Sequence, residues 1–483
     1  MGLTTIPDEN TTTIDVWLAS GRDQSQIWRT MIDADGSYTD STGNAVSLKL
    51  VTGGTLLPSI LSGKGPDVYI GLSSSEVINY AIRDAVVGIS GNAKTSNGWT
   101  DADNEVFNTT YYTYKNADGS YSTVTEERPG ETPSFVSLPY SETAKPGEVF
   151  AKAALDTVTL LDVAYGIPQT MSFAMMFYRM DVLAELNLEV PESWAEMISI
   201  LNVLQQNNMS IGVSYTNALE FMIYQKGGNM WMYTDETLYD SKYAGARIAL
   251  DSNIALEAFK YTTSLYTNYS FPVSYDAANR FRTGEMPIII GDYSSIYNQL
   301  VVYATEIEGL WEFCSLPGSM RENGEFNYDS LANITATVIL HGVGEDLLPA
   351  WQFLQWQAGE KAQAEYGNRM VALIGPSAKY ETANLKAINN LSWTAKEKRA
   401  IMNQMDHLSS VVNYPGSYII SRYMQFAFFD VVNDGANPID AMTGYIDAIN
   451  IEITRKREEF NLWTPESSDD EPPQLSQPDG SVQ

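Results

Sequence analysis

Between Thr13 and Arg83, three short apolar runs alternate with segments of helical period. "TIDVWL" (Thr13–Leu18), "VSLKLV" (Val46–Val51) and "VYI" (Val68–Ile70) each have the length of a buried strand. Helical patterns over Ser25–Ile32, Thr55–Leu61 and Glu76–Arg83 follow them in turn. Alternation of this kind marks βαβ units wound into a parallel sheet. It also says where function would sit. In open α/β sheets, ligands bind beyond the carboxyl ends of the strands.

The three strand tips read "ASGRDQ", "TGG" and "GLSSS". All are small, polar and rich in backbone donors. The glycines of "KLVTGGTLLPSILSGKGPDVYIG" (Lys49–Gly71), with Lys64 among them, raise the question of a phosphate cradle. A P-loop requires G-x-x-x-x-G-K-[ST]. Here Pro58 stands at the first glycine and Gly65 at the hydroxyl residue. The G-x-G-x-x-G fingerprint is missing too. Two readings of the glycines remain: tight turns, or tips that line one wall of a cleft for a neutral polar ligand.

Residues 92–146 read as an insertion, with a hairpin turning at Asp118-Gly119. From Tyr165 the pattern resumes. "AYGIPQTMSFAMMFYR" is apolar enough for one central strand. "PIIIGDYS" reads as a buried strand ending in a polar turn. Most of the remainder has helical period. The ends, "MGLTTIPDENTTT" and "TPESSDDEPPQLSQPDGSVQ", read as a polar linker and a disordered acidic, proline-rich tail. No signal peptide and no bilayer-length apolar run is visible.

The chain has 483 residues, with 29 basic against 60 acidic, a net charge of −31. Such a surface repels nucleic acid and anionic lipid, so no nucleic-acid partner is expected. Cys314 is the single cysteine. It reads as a small core residue rather than a nucleophile, with only His341 and His407 as imidazole partners. "DADG" (Asp33–Gly36) and "NADG" (Asn116–Gly119) lack the rest of a calcium loop. No metal and no cofactor is expected.

The order of "VWLASGRDQSQIWRTMI", "GKGPDVYIG", "YGIPQTMSFAMMFYRMDVLAELNLEVPESWAEM", "FRTGEMPIIIGDYS" and "WQFLQWQAGEKAQAEYG" resembles the family 1 extracellular solute-binding proteins of bacterial ABC transporters. These are similar in architecture to maltose-binding protein. The resemblance covers about Thr12 to Trp463. It implies an α/β, two-lobed periplasmic-binding-protein fold of type II, each lobe a mixed sheet flanked by helices, with the ligand between lobes. The expected division is a linker 1–11, an N-lobe of 12–168 plus 317–374, a C-lobe of 172–313 plus 377–463, and a tail 464–483. Crossings between lobes are expected near Pro168–Ser172, Phe313–Leu316 and Ile374–Ser377. The insertion is longer than in the simplest members, and either covers the cleft or contacts another module.

Candidate ligand contacts follow from the strand tips and from this resemblance. Arg22, Asp23 and Gln24 offer donors and acceptors for vicinal hydroxyls. The alternative is a helix cap and a surface pair. Gly54 and Thr55 supply backbone N–H groups and a hydroxyl, or else a cap. Ser73 and Ser74 line the cleft or sit in a solvated loop. Tyr165, Gln169, Thr170 and Ser172 surround the first crossing, where buried polar groups need a ligand or a fixed network. Asp292 and Tyr293 end "PIIIGDYS". The resemblance puts a ligand-facing aromatic there, while core packing is the plainer reading. Tyr418 and Arg422, at i and i+4 of "SYIISRYM", face the cleft or form core and surface contacts. Trp17, Trp351, Phe353 and Trp356 are read as core.

The leading expectation is capture of a sugar or oligosaccharide for an ABC permease, by a monomer lipid-anchored on the extracellular face of the bacterial membrane. A peptide or other small polar solute is the runner-up, and a sensory module on the same fold a further class. No G-x-S-x-G, H-E-x-x-H or Cys/His pairing supports an enzyme.

Overall fold

The computed structural model describes residues 12–90, 105–126, 135–137, 140, 148–160, 163–233, 246–321 and 323–460. The linker 1–11, the tail 464–483 and parts of the 92–146 insertion lie outside the described residues. By contacts the chain divides into two compact units. One comprises Met1–Ser214, Pro272–Ser319 and Phe326–Asn413, the other Tyr215–Phe271, Met320–Glu325 and Tyr414–Gln483.

The first unit holds the two largest sheets among the described residues. The larger has the order Ala45–Leu50, Thr13–Leu18, Val68–Ser73, Asn333–Ile339, Ile167–Ser172. Its first three strands are parallel, as the alternation predicts, and the last two run antiparallel to their neighbours. Ile14, Val16 and Leu18 alternate inward along the central strand, at most 2% exposed. That period of two buries one face. Helix Arg22–Ile32 covers the sheet with Ile27, Trp28 and Met31. The Trp28 ring lies flat on Tyr366, centroids 4.3 Å apart, and so ties this helix to helix Glu360–Ile374. Trp351 and Phe353 are fully buried, as expected.

The second sheet has the order Ile211–Val213, Ile288–Asp292, Ala174–Arg179, Trp311–Cys314. Here the single central strand predicted for "AYGIPQTMSFAMMFYR" is corrected. Ile167–Ser172 pairs with Asn333–Ile339 in the first sheet, whereas Ala174–Arg179 pairs with Ile288–Asp292 and Trp311–Cys314 in the second. Phe173 is the whole link. The predicted polar turn after "PIIIGD" is also corrected. Asp292 accepts from the Ser295 N–H and caps helix Tyr293–Tyr303. Beside this sheet Arg179 is buried. Its guanidinium donates to both oxygens of Asp181, at 2.8 and 2.7 Å, and to the carbonyls of Phe281 and Arg282.

Within the insertion, Tyr111–Lys115 and Tyr121–Val124 form the expected hairpin, with Gly119 at φ 88° in its turn. The Tyr121 hydroxyl donates to the Asp40 carbonyl at 2.7 Å. Asp40 belongs to helix Tyr38–Thr42, just ahead of strand Ala45–Leu50. The hairpin is therefore docked where that strand begins, at the edge opposite the strand tips.

The second unit is mainly helical, with Tyr215–Gln225, Asn253–Thr267, Ile420–Val432, Pro438–Thr443 and Ile446–Glu459. Trp231–Tyr233 pairs antiparallel with Ala246–Ile248. Its centre is aromatic. Tyr215 stacks on Phe428 at 4.6 Å, and Tyr266 meets Phe428 edge-on at 5.0 Å.

Candidate ligand-binding site

The three parallel strands of the first sheet end side by side, since Leu18 is level with Leu50 and Ile70. Each then feeds the amino end of a helix: Arg22–Ile32, Leu56–Leu61 and Ser74–Ala81. Helix amino ends present unbonded N–H groups and the positive end of the helix dipole. Most of the expected residues meet at this edge.

Arg22 and Asp23 are both exposed. Neither makes an ion pair or a side-chain hydrogen bond among the described residues. The cap of their helix is Gly21 rather than Asp23, and Gln24 turns back to accept from the Gly21 N–H at 2.7 Å. Gly54 has a positive φ of 83°, which places the turn ahead of Thr55. The Thr55 hydroxyl donates to the Thr52 carbonyl at 2.8 Å. Ser73 donates to Glu76 at 2.5 Å in a capping box, and Ser74 beside it is half-buried.

Across the same edge, Thr335 is in register with both Ser73 and Thr170. The hydroxyls of Thr170 and Thr335 lie 2.5 Å apart. Ser73, Thr335 and Thr170 thus form a row of hydroxyl residues over three strands. The sequence reading missed Thr335, because its strand is far away in the chain.

The remaining candidates have other surroundings. Tyr165 precedes strand Ile167–Ser172, and its N–H donates to Val158. It lies toward the opposite edge from the tips. Gln169 is buried and bonded to Tyr380, whose hydroxyl also reaches Gln363 at 3.0 Å. Thr382 donates to the same Gln363 oxygen at 2.8 Å, so Gln169 belongs to a fixed polar network. Ser172 donates its hydroxyl to Asp292. Tyr293 is fully buried, with its ring 4.8 Å from Phe173 and 6.0 Å from Trp393.

Beside Asp292 stands Glu381, a half-buried carboxyl that the sequence reading did not single out. Burial, opposed by a hydrogen bond to Ser294 and reinforced by Asp292, pushes it up to about 7. Cys314 is pushed up to about 12, chiefly by burial and then by Glu192 and Glu312. A thiol held protonated in this way is inert. Among the described residues, no group of three or more His, Cys, Asp or Glu is placed to hold a metal ion.

In the second unit, Tyr418 lies in the 3-10 turn Ser417–Ile419 and Arg422 in the following helix, so the two do not share one α-helical face. Tyr418 is 58% exposed and bonded to Glu452. A cavity of about 110 Å³ opens between helices Tyr215–Gln225 and Ile420–Val432, lined by Asn217, Glu220, Ser421 and Gln425 among others. Ser421 donates to Glu220 at 3.0 Å. Burial raises Glu220 above the usual carboxylate range, with Ser421 opposing. A lone acid inside the apolar run "ALEFMIY" was the signal available in the sequence.

A mixed sheet whose three parallel strands end in exposed polar groups, followed by a second sheet reached through one residue, has the architecture of a periplasmic-type binding protein. The chain belongs to the bacterial extracellular solute-binding proteins, whose family model matches residues 92–390, more than half of its length. A search of curated proteins found no significant match. Among solved structures, the sugar-binding protein MalE from Xanthomonas citri superposes with a TM-score of 0.68 at 15% identity, over 94% of this chain and 100% of that one. The maltose-binding periplasmic protein MalE from Listeria monocytogenes, in complex with maltose, gives 0.64 at 14%, covering 93% and 99%. An ABC transporter solute-binding protein from Thermotoga lettingae TMO, bound with alpha-D-tagatose, gives 0.60 at 16%, covering 92% and 100%. Identities this low establish the mixed α/β fold of that class and leave the cargo to be argued. Among the described residues, no helix is long and apolar enough to cross a membrane.

Proposed function

We propose that this protein is the extracellular substrate-binding component of an ABC importer. It captures a neutral sugar or oligosaccharide and closes over it by a hinge. The reading keeps the lobe boundaries expected from the sequence. It places the monomer on the outer face of the bacterial membrane, held there by a lipid anchor, with the permease subunits as partners. The protein delivers its ligand without turning it over.

The observation that carries the reading is the pair Arg22 and Asp23. Both are exposed at the tip of a parallel strand and, among the described residues, unpaired. A guanidinium and a carboxylate side by side match the donors and acceptors of vicinal hydroxyls. The row Ser73, Thr335 and Thr170 and the amino ends of three helices add neutral donors along the same edge. Ligand contacts are assigned to Arg22, Asp23, Gln24, Gly54, Thr55, Ser73, Ser74 and Thr170. The maltose- and tagatose-bound relatives support a saccharide cargo.

Thermal melting against a panel of neutral oligosaccharides, acidic sugars and short peptides tests this. A ligand specific to the folded state adds about 2.7 kcal/mol at about a hundredfold excess over its Kd. A shift restricted to saccharides, with the sugar recovered intact, supports the proposal. A shift with peptides alone moves the cargo to the runner-up class, and release of cleaved sugar overturns the binding-only role.

A further inference from the structure

A cavity of about 590 Å³ opens in the first unit, between helix Tyr293–Tyr303, strand Trp311–Cys314 and the chain that follows helix Glu360–Ile374. None of the residues assigned above to the solute lines it. Its volume is that of a small-molecule pocket, which spans about 300–1,000 Å³. Tyr297, Leu300 and Phe313, each at most 7% exposed, form its buried side. Half-buried Trp311 stands next to Tyr297, with ring centroids 5.6 Å apart. Glu308 and Lys396 lie on its exposed side.

The cavity wall already carries one ammonium group, and its surroundings show what chemistry holds a cation here. Lys379 is 9% exposed. Its Nζ lies 2.9 Å from Glu397 and 4.5 Å from the ring centroids of both Tyr297 and Trp393. The ring faces attract the cation, and the carboxylate neutralises it.

The charges around the cavity do not balance. Glu308, Glu312 and Glu397 line it, against Lys379 and Lys396. Lys396 is paired with Glu312, as Lys379 is with Glu397. Glu308 is left over. Among the described residues it makes no ion pair and no side-chain hydrogen bond. It stands three residues ahead of Trp311, on the same cavity. Burial, then Glu397 and Glu308, raises the Tyr297 phenol, so Glu308 also acts on that ring. Carboxylate and aromatic rings thus come together a second time, and here the cation must come from solution.

We infer that this cavity binds a small organic cation, a primary amine with an aromatic or apolar body, its ammonium on Glu308 and its body against Tyr297, Trp311 and Phe313. The net charge of −31 draws such cations to the surface. The inference does not rest on the saccharide reading, because the two sites share no residue.

Calorimetric titration of the full chain with 2-phenylethylamine tests it, beside the neutral 2-phenylethanol and the anionic 3-phenylpropanoate. The amine should bind at one site per chain, roughly tenfold or more tighter than the alcohol, and the acid weakest. Glu308→Gln removes an exposed charge and should leave the melting temperature unchanged. In that variant the preference for the amine over the alcohol should disappear. Equal binding of amine and alcohol to the wild type, binding of neither, or a preference that survives Glu308→Gln overturns the inference. The last of these would assign the amine to the acidic surface at large.

Discussion

Ser172 and Asp292 end strands of different sheets, and the serine hydroxyl donates to the carboxylate. Between Ser172 and Ala174 only Phe173 intervenes, and its carbonyl accepts from the Tyr293 N–H at 3.0 Å. The passage between sheets is therefore a bonded joint rather than a free linker. Asp292 serves twice, since the same carboxylate caps helix Tyr293–Tyr303. A joint built this way couples the helix start to the strand ends.

Asp292→Ala should accordingly cost more than a helix cap. Loss of a cap is worth about 0.5–2 kcal/mol. Leaving the Ser172 and Ser294 hydroxyls without their acceptor adds about 1–3 kcal/mol. Urea unfolding should show a loss of about 2–4 kcal/mol, against about 1 kcal/mol for Ser172→Ala. Equal stability of Asp292→Ala and wild type would contradict the joint.

Much of the first sheet was legible because its strands are short and alternate with helices. Thr13–Leu18 falls where the apolar run puts it, and the strand read as Val46–Val51 is Ala45–Leu50. "AYGIPQTMSFAMMFYR" misled for a physical reason. Every position from Met171 to Phe177 is buried, so no change of period marks the change of sheet at Phe173. The partners that separate the two strands, Thr335 on one side and Ile289 on the other, are distant in sequence. The same holds at the site. Arg22 and Asp23 follow their own strand and could be placed from it. The burial of Tyr293 is set by Phe173 and Trp393, neither of which local pattern reports.

Arg179 should prove intolerant of replacement. It is buried, and it satisfies the carbonyls of Phe281 and Arg282 as well as Asp181. Asp181 is more than a third exposed, so solvent screens the ion pair and most of the cost falls on the stranded carbonyls. Arg179→Ala should lose about 2–4 kcal/mol in urea unfolding. Hydrogen bonds from Arg179 hold Asp181 below the usual carboxylate range. The part of the stability owed to this lowering is present above the unfolded value and is lost as pH falls through the folded one. The gap between wild type and Arg179→Ala should therefore narrow in acid.

Gly416 in the second unit should not accept a side chain. Its φ is 90°, and an added Cβ would lie 2.8 Å from the Ile453 Cα and 2.9 Å from the Glu452 carbonyl oxygen. These are backbone atoms of helix Ile446–Glu459, which cannot turn aside as a side chain would. Gly416→Ala should cost roughly 2 kcal/mol or more and lower the melting temperature. A variant as stable as wild type would show that this turn and helix are not packed together as described.

Arg22→Ala and Asp23→Ala should separate binding from folding. Both side chains are exposed and, among the described residues, unpaired, so each substitution should change stability by no more than about 0.5 kcal/mol. In the bound state each would make charge-assisted hydrogen bonds to ligand hydroxyls, worth about 1.5–3 kcal/mol. Calorimetric titration with the saccharide found by melting should therefore show Kd weakened by roughly tenfold to a hundredfold in each variant. The double variant should fall short of the sum if both groups hold the same pair of hydroxyls, because one ordered hydroxyl pair then serves both. Unchanged affinity in both single variants, at unchanged stability, would remove this strand tip from the site and leave binding to be sought in other residues.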